Sequence, residues 1–121
     1  MLINGKSVMF KSVVAWLLAM VLATPVAAIS IGDLENEIQK SARSEIVATY
    51  ISGVAMGYMF SNMALEAEGN AMMFCMPREK RPTPQYFLNL IFDAEHKGFV
   101  DASAQAEITL LARLKAKYPC K

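Results

Sequence analysis

Apolar residues recur at intervals of three and four along most of the chain beyond position 30, a spacing that predicts α-helices. Ser30 and the acidic segment 33–37 predict the start of the first helix, because a capping oxygen and negative charge both favour a helix N-terminus. Gly69 predicts its end. About 35 residues is long for one helix in a small domain, so we expect a break near residues 41–44 or 53–57. One apolar stripe is predicted on this segment: Ile46, Tyr50, Ile51, Val54, Tyr58 and Met59.

A shorter helix is predicted over residues 85–95. Thr83 suits its N-cap, and Pro84 suits its first position, where the missing N–H group is not needed. Gly98 suits a left-handed cap at its end, with His96 and Lys97 near the negative end of the dipole. The side chains predicted to be buried are Phe87, Leu88, Ile91 and Phe92.

The last predicted helix covers residues 102–118, with Asp101 as its cap and Pro119 as its stop. Its apolar face is predicted to contain Ile108, Leu111, Leu114 and Tyr118. Since no segment of any length has the alternation of a strand, we predict an all-α fold, a small bundle of three to four helices.

The N-terminal part has the pattern of an export signal. Lys6 and Lys11 give it a positive start, and residues 13–23 form an uninterrupted run of eleven apolar residues, which is too short to span a bilayer. Val26 and Ala28 then place small side chains at the −3 and −1 positions of a signal peptidase site. The alternative is an uncleaved membrane anchor; a cleaved signal peptide is the favoured interpretation.

Cleavage after Ala28 divides the chain into a signal peptide over residues 1–28 and one exported, periplasmic domain over residues 29–121. The domain keeps ten of the twelve Lys and Arg residues and all eleven Asp and Glu residues. A nearly neutral domain lacks the strong basic excess that binding to nucleic acid or to an anionic membrane surface requires.

Both cysteines lie in the exported part, and their spacing is unlike that of a redox pair or a zinc site. In an oxidising compartment we expect Cys75 and Cys120 to form one structural disulfide. By the chain-entropy relation, closing a loop of this length stabilises a domain by about 4 kcal/mol.

Gly53 and Gly57 are four residues apart in the predicted long helix, where each costs about 1 kcal/mol relative to Ala. We interpret them as a site where another backbone approaches closely, most simply a neighbouring helix. A membrane-type dimer is disfavoured, because polar Ser61, Asn62 and Glu66 follow directly.

The segment 71–77 is apolar and carries Cys75, and it predicts an anchored connector. The polar segment after it predicts a solvent-facing loop, either simply solvated or presented to a protein partner. Its candidate partner-binding residues are Arg78, Glu79, Lys80 and Arg81.

Residues with catalytic chemistry do not form a constellation in the sequence. The single histidine, His96, suits a helix end better than a catalytic base, and Glu66 and Glu68 are two apart on a helix and point to different faces. Soft thioethers bind Cu(I), so the methionines of the domain leave copper as a minor alternative. We expect a protein that is not an enzyme and has no metal or cofactor.

Several short motifs, taken in order, resemble the Rap/Tai family of periplasmic immunity proteins. They are Tyr50-Ile-Ser-Gly53-Val-Ala, Phe74-Cys75-Met-Pro77, Tyr86-Phe-Leu and Tyr118-Pro119-Cys120. The resemblance covers nearly all of the chain from about residue 34. The chain differs from many members in having no cysteine in its first helix.

This resemblance implies an all-helical fold with the Cys75–Cys120 bridge, frequent homodimers, and inhibition of a toxin delivered by type VI secretion. The usual toxin is a peptidoglycan amidase, whose substrate cleft the immunity protein occupies. The competing hypothesis is another helical protein-binding module, such as a periplasmic acid-stress chaperone that holds unfolded clients on methionine-rich surface.

Overall fold

The computed structural model describes residues 28–40 and 44–121, and within these ranges the chain forms four α-helices and no strand. The helices are α1 (Ile31–Gln39), α2 (Ser44–Ala67), α3 (Pro84–His96) and α4 (Ala106–Lys117). The predicted all-α bundle is confirmed. The predicted signal peptide lies outside the described residues except for Ala28. No helix in the described ranges is long and apolar enough to cross a membrane.

The predicted helix starts at Ser30 and Thr83 are confirmed. The Ser30 hydroxyl accepts a hydrogen bond from the backbone N–H of Asp33, and the Thr83 hydroxyl accepts one from that of Tyr86, so each caps its helix. Gly98, with φ +73°, follows α3 as predicted. Of the two predicted breaks, the one near residues 41–44 is correct, since α1 ends at Gln39 and α2 begins at Ser44.

The core lies where α2, α3 and α4 meet, with α1 packed against α2 and α3. Phe87, Leu88 and Ile91 of α3 are buried as predicted, whereas Phe92 is only half-buried. The largest side chains with almost no exposure are Ile31, Leu34, Ile51, Phe74, Ile91, Leu110 and Leu114.

The predicted apolar stripe of α2 is partly wrong. Ile46 and Tyr50 are 68% and 45% exposed, and the buried positions are Val47, Ile51, Ala55 and Asn62. No charged residue occurs between Glu45 and Glu66. A helix that is uncharged around most of its circumference has no polar side to define its orientation, so contacts with the other helices select the buried face.

The predicted start of the last helix is also wrong. α4 begins at Ala106 and has no side-chain cap, because the segment before it pairs with the start of α1. The backbone N–H groups of Ile31 and Gly32 donate to the carbonyl oxygens of Ala104 and Ala102, each at 2.9 Å. These bonds hold residues 102–104 outside the helix.

Asp101 caps a turn and not a helix. Its carboxylate accepts hydrogen bonds from the hydroxyl and the backbone N–H of Ser103, and these bonds lower the pKa of Asp101. The face of α4 differs from the prediction as well: Ile108 is 60% exposed, while Leu110 and Leu114 are fully buried. Leu111 and Tyr118 are half-buried.

Candidate functional site

The connector between α2 and α3 is fixed to the end of α4. Cys75 and Cys120 form the predicted disulfide, with their Cα atoms 5.0 Å apart. The backbone N–H of Cys75 also donates to the carbonyl oxygen of Tyr118 at 2.7 Å. Pro119 lies exposed between these two attachments. The covalent bond and the hydrogen bond together set the position of the connector on the bundle.

A buried amide fixes the same connector to α2. The Asn62 side chain is 7% exposed; its Nδ2 donates to the carbonyl oxygen of Phe74 at 2.6 Å, and its Oδ1 accepts from the N–H of Met73 at 2.8 Å. These bonds satisfy two backbone groups of the connector and hold Phe74, 1% exposed, in the core. The sequence pattern did not single out Asn62 for this role.

Next to this connector is an open groove of about 620 Å³, which we call the methionine groove. One wall comes from α2 and the other from the connector, including Phe74 and Pro77. Four thioether side chains are among its lining residues: Met59, Met63, Met72 and Met76. Flexible, polarisable methionine side chains adapt to partners of varied shape. The sequence pattern showed the methionines but not that four of them line one groove.

The predicted partner-binding loop forms the rim of this groove. Arg78, Lys80 and Arg81 line it and are exposed to solvent, whereas Glu79 is exposed but is not among the lining residues. Arg78 pairs with Glu66 of α2 at 3.5 Å. The guanidinium of Arg81 donates to the carbonyl oxygen of Arg78 at 2.6 Å and thereby closes the loop. Three cations against two carboxylates, Glu66 and Glu79, leave the rim with a net positive charge.

Two tyrosines stand behind the rim. The hydroxyls of Tyr86 and Tyr118 are hydrogen-bonded to each other, and the Lys80 amine lies 5.6 and 5.8 Å from the centres of their rings. Burial raises the pKa of Tyr86. Burial of Tyr118 favours a higher pKa. The hydrogen bond with Tyr86 and the charge of Lys80 outweigh this effect and lower the pKa of Tyr118. The pair joins α3 to the end of α4 and supports the loop from behind.

The motif tyrosine Tyr50 lies elsewhere, over the start of α4. Its hydroxyl donates to the carboxylate of Glu107, and this bond raises the pKa of Tyr50 to about 12. About two turns further along α2, the Tyr58 hydroxyl donates to the carbonyl oxygen of the same residue, Glu107, at 2.8 Å. Tyr50 is therefore a link between α2 and α4 and does not reach the methionine groove.

The predicted role of Gly53 and Gly57 within the chain is wrong. Both are exposed, and a Cβ atom added at either would meet nothing within 4 Å. They belong to an exposed, uncharged surface that we call the outer face of α2, whose residues are Ile46, Tyr50, Gly53, Met56, Gly57, Phe60 and Met63. The open space at the glycines leaves room for a second backbone from outside the chain.

Metal ligands of the His, Cys, Asp and Glu types do not cluster anywhere in residues 28–40 and 44–121. Both cysteines are bonded to each other, and His96 lies exposed at the end of α3. The arrangement suits binding: a groove lined by adaptable methionine side chains, a positive rim, and a connector held by one disulfide and one buried amide.

The fold and the groove define the class of this molecule, a small disulfide-closed helical domain with an open groove at its connector. No family model, curated protein or solved structure matches the chain.

Proposed function

We propose that this chain is a periplasmic immunity protein of the Rap/Tai type, which inhibits a peptidoglycan amidase toxin by blocking its active-site cleft. The observation that carries the proposal is the methionine groove with its positive rim, held by the Cys75–Cys120 disulfide. The ordered resemblance of the four short motifs to that family gives the toxin class. Inhibition by occupation of a cleft requires no catalytic group in the inhibitor.

The shape of the site suits a partner that has a cleft. The basic loop (Arg78, Glu79, Lys80 and Arg81) projects into solvent, and the Arg78 side chain is 90% exposed. The loop can enter the cleft of the toxin while one wall of that cleft packs into the methionine groove. Arginine and methionine are enriched at protein interfaces, and the positive rim fits an acidic toxin surface and speeds its association.

The test is binding of the oxidised domain, residues 29–121, to a type VI amidase encoded beside it or recovered from periplasm. We expect nanomolar affinity and loss of amidase activity. Arg78→Glu should lower the association rate about tenfold or more, because it reverses a rim charge. Lys115→Glu is the matched control, since Lys115 is exposed on α4 and does not line the groove. Equal effects of the two variants, or no binding of an amidase, would contradict the proposal.

The outer face of α2 supports the homodimer that the family resemblance implies. A two-fold interface brings each patch against its own copy, so a patch without charge avoids repulsion between like charges. Residues 46–65 contain no charged residue, and the space over Gly53 and Gly57 is open. We therefore assign this face to a second copy of the chain, with the two α2 helices crossing at the glycines.

Light scattering after size exclusion tests the dimer. A Cβ atom added at Gly57 meets nothing within 4 Å, so Gly57→Leu should leave the fold intact and shift the protein toward the monomer. Ala112→Leu, which is exposed on α4 and is not part of the outer face of α2, is the comparison. A wild-type protein that is monomeric at 100 µM would exclude this use of the face; that concentration is roughly a hundredfold above a Kd near 1 µM.

The exposed apolar outer face also favours the second candidate, a chaperone that holds unfolded clients. Suppression of aggregation of unrelated proteins at acid pH, at stoichiometric amounts, would support that function. A specific amidase complex together with no effect on such clients would exclude it.

A further inference from the structure

The backbone at Ile29 contacts the start of α4. The carbonyl oxygen of Ile29 accepts a hydrogen bond from the N–H of Ala106 at 2.9 Å, and its side chain packs against the core while being partly buried. The backbone nitrogen of Ile29 lies 3.2 Å from Oε1 of Glu107 and donates to it. Ala28, the preceding residue, is exposed.

Glu107 has more hydrogen-bonding capacity than its neighbours use. Its Oε1 accepts from Tyr50 and from Ile29, whereas its Oε2 is buried and has no partner among the described residues. A buried carboxylate oxygen without a donor is costly. The titratable groups that face this carboxylate are the hydroxyls of Tyr50 and Tyr58 from α2. Neither supplies a positive charge.

Removal of the predicted signal peptide would supply that charge at this place. Hydrolysis of the Ala28–Ile29 bond by the peptidase adds water, leaves a carboxylate on Ala28, and turns the Ile29 amide into a free amine that is protonated at neutral pH. The N–H donor becomes an ammonium with three donors, already at 3.2 Å from Oε1 of Glu107.

We propose that the carboxylate of Glu107 is the binding site for the α-ammonium group of the processed chain. The inference rests on cleavage after Ala28 and is independent of the toxin proposal. The ammonium keeps the bond to Oε1 and has two further donors, one of which reaches the unpartnered Oε2. Charge-assisted hydrogen bonds of this kind are stronger than the amide bond that they replace.

The ion pair makes the stability of the fold depend on cleavage during export. Before cleavage the chain has neither the ammonium nor, in a reducing cytoplasm, the disulfide, so the precursor is less stable than the processed protein. Translocation of an unfolded chain benefits from that difference. After cleavage, both α1 and the first turn of α4 are fixed by the same ion pair.

The pH dependence follows from the ordinary pKa of an α-amino group, about 8. Pairing with a carboxylate raises the pKa of this amine in the folded state. The stabilisation is therefore complete below about pH 8 and is lost as the pH rises through the raised value. Tyr50, with a pKa of about 12, keeps its proton throughout this interval.

Four proteins test the proposal: chains that begin at Ile29 or at Ala28, each with Glu107 or with Glu107→Gln. An extra Ala28 moves the ammonium group away from the Glu107 carboxylate. Glutamine at position 107 keeps the size of the side chain and one acceptor oxygen. We expect the Ile29 chain to melt about 4–8 °C above the Ala28 chain at pH 7, a shift on the scale that one such pair produces in a domain of this size. The difference should vanish at pH 10 and in the Glu107→Gln background.

Equal melting temperatures, or a difference that persists with Glu107→Gln, would overturn the pairing. If Glu107→Gln does not fold, acylation of the wild-type Ile29 chain at pH 7.5 decides instead: the α-amine should react more slowly than in the Ala28 chain, and an equal rate would overturn the proposal. The intact mass of protein exported by its own cell tests the cleavage step separately. A first residue other than Ile29 would refute the proposal at that step.

Discussion

A single side chain, Asn62, fixes the connector to α2. Its amide satisfies the carbonyl oxygen of Phe74 and the N–H of Met73 from inside the fold. The Cys75–Cys120 disulfide lies next to these bonds along the chain, so the methionine groove is built on two neighbouring attachments. Asn62 is spaced seven residues after Ala55 and eleven after Ile51, which places it on the buried face of α2. That register identifies the role of Asn62 only once the buried face of α2 is known from the structure.

We predict that Asn62→Ala lowers the free energy of unfolding by about 2–3 kcal/mol, because two backbone groups lose their partner in a buried position. Urea unfolding of the oxidised domain measures this change. Asn36→Ala is the matched control, since Asn36 is exposed on α1 and should change the stability by less than about 0.5 kcal/mol. A loss of similar size in both variants would contradict the role given to Asn62.

At the scale of helices, features set by neighbouring residues were predictable and features set by packing were not. The caps at Ser30 and Thr83 depend on contacts within three residues, and both were predicted. The start of α4 depends on pairing of residues 102–104 with α1, more than sixty residues earlier in the chain. The buried face of α2 depends on the whole bundle. No pattern of neighbouring residues predicts the start of α4 or the buried face of α2.

Gly53 lies within α2 and Gly69 lies just after its end. We expect replacement by alanine to have opposite effects on stability at these two positions. Gly53 lies within the helix and nothing is close to it, so Gly53→Ala should stabilise the monomer by about 0.5–1 kcal/mol. Gly69 has φ +73°, and Gly69→Ala should destabilise by about 1 kcal/mol. Thermal unfolding at low protein concentration compares the two. Destabilisation by Gly53→Ala would mean that a neighbour occupies its open side.

At the scale of the molecule, the sequence predicted the class of fold, the disulfide and the basic loop, but not the groove between them. Met59 and Met63 have helical spacing that suits a core position, and only the return of the connector along α2 turns them into the wall of an open groove. The outer face of α2 was equally hidden, because Ile46 and Tyr50 look like core residues until the other helices are in place. Such surfaces depend on contacts between distant parts of the chain.

The disulfide should decide whether a domain of this size stays folded. It closes a loop with a sequence separation of 45 residues, and the chain-entropy relation gives about 4 kcal/mol for that length, a large part of the roughly 5–15 kcal/mol that small domains possess. Replacing both cysteines, Cys75→Ser with Cys120→Ser, should therefore lower the urea midpoint strongly. Reduced wild-type protein is the control and should unfold at the same midpoint as the double variant. An unchanged midpoint in both would show that helix packing and the Asn62 amide alone hold the connector.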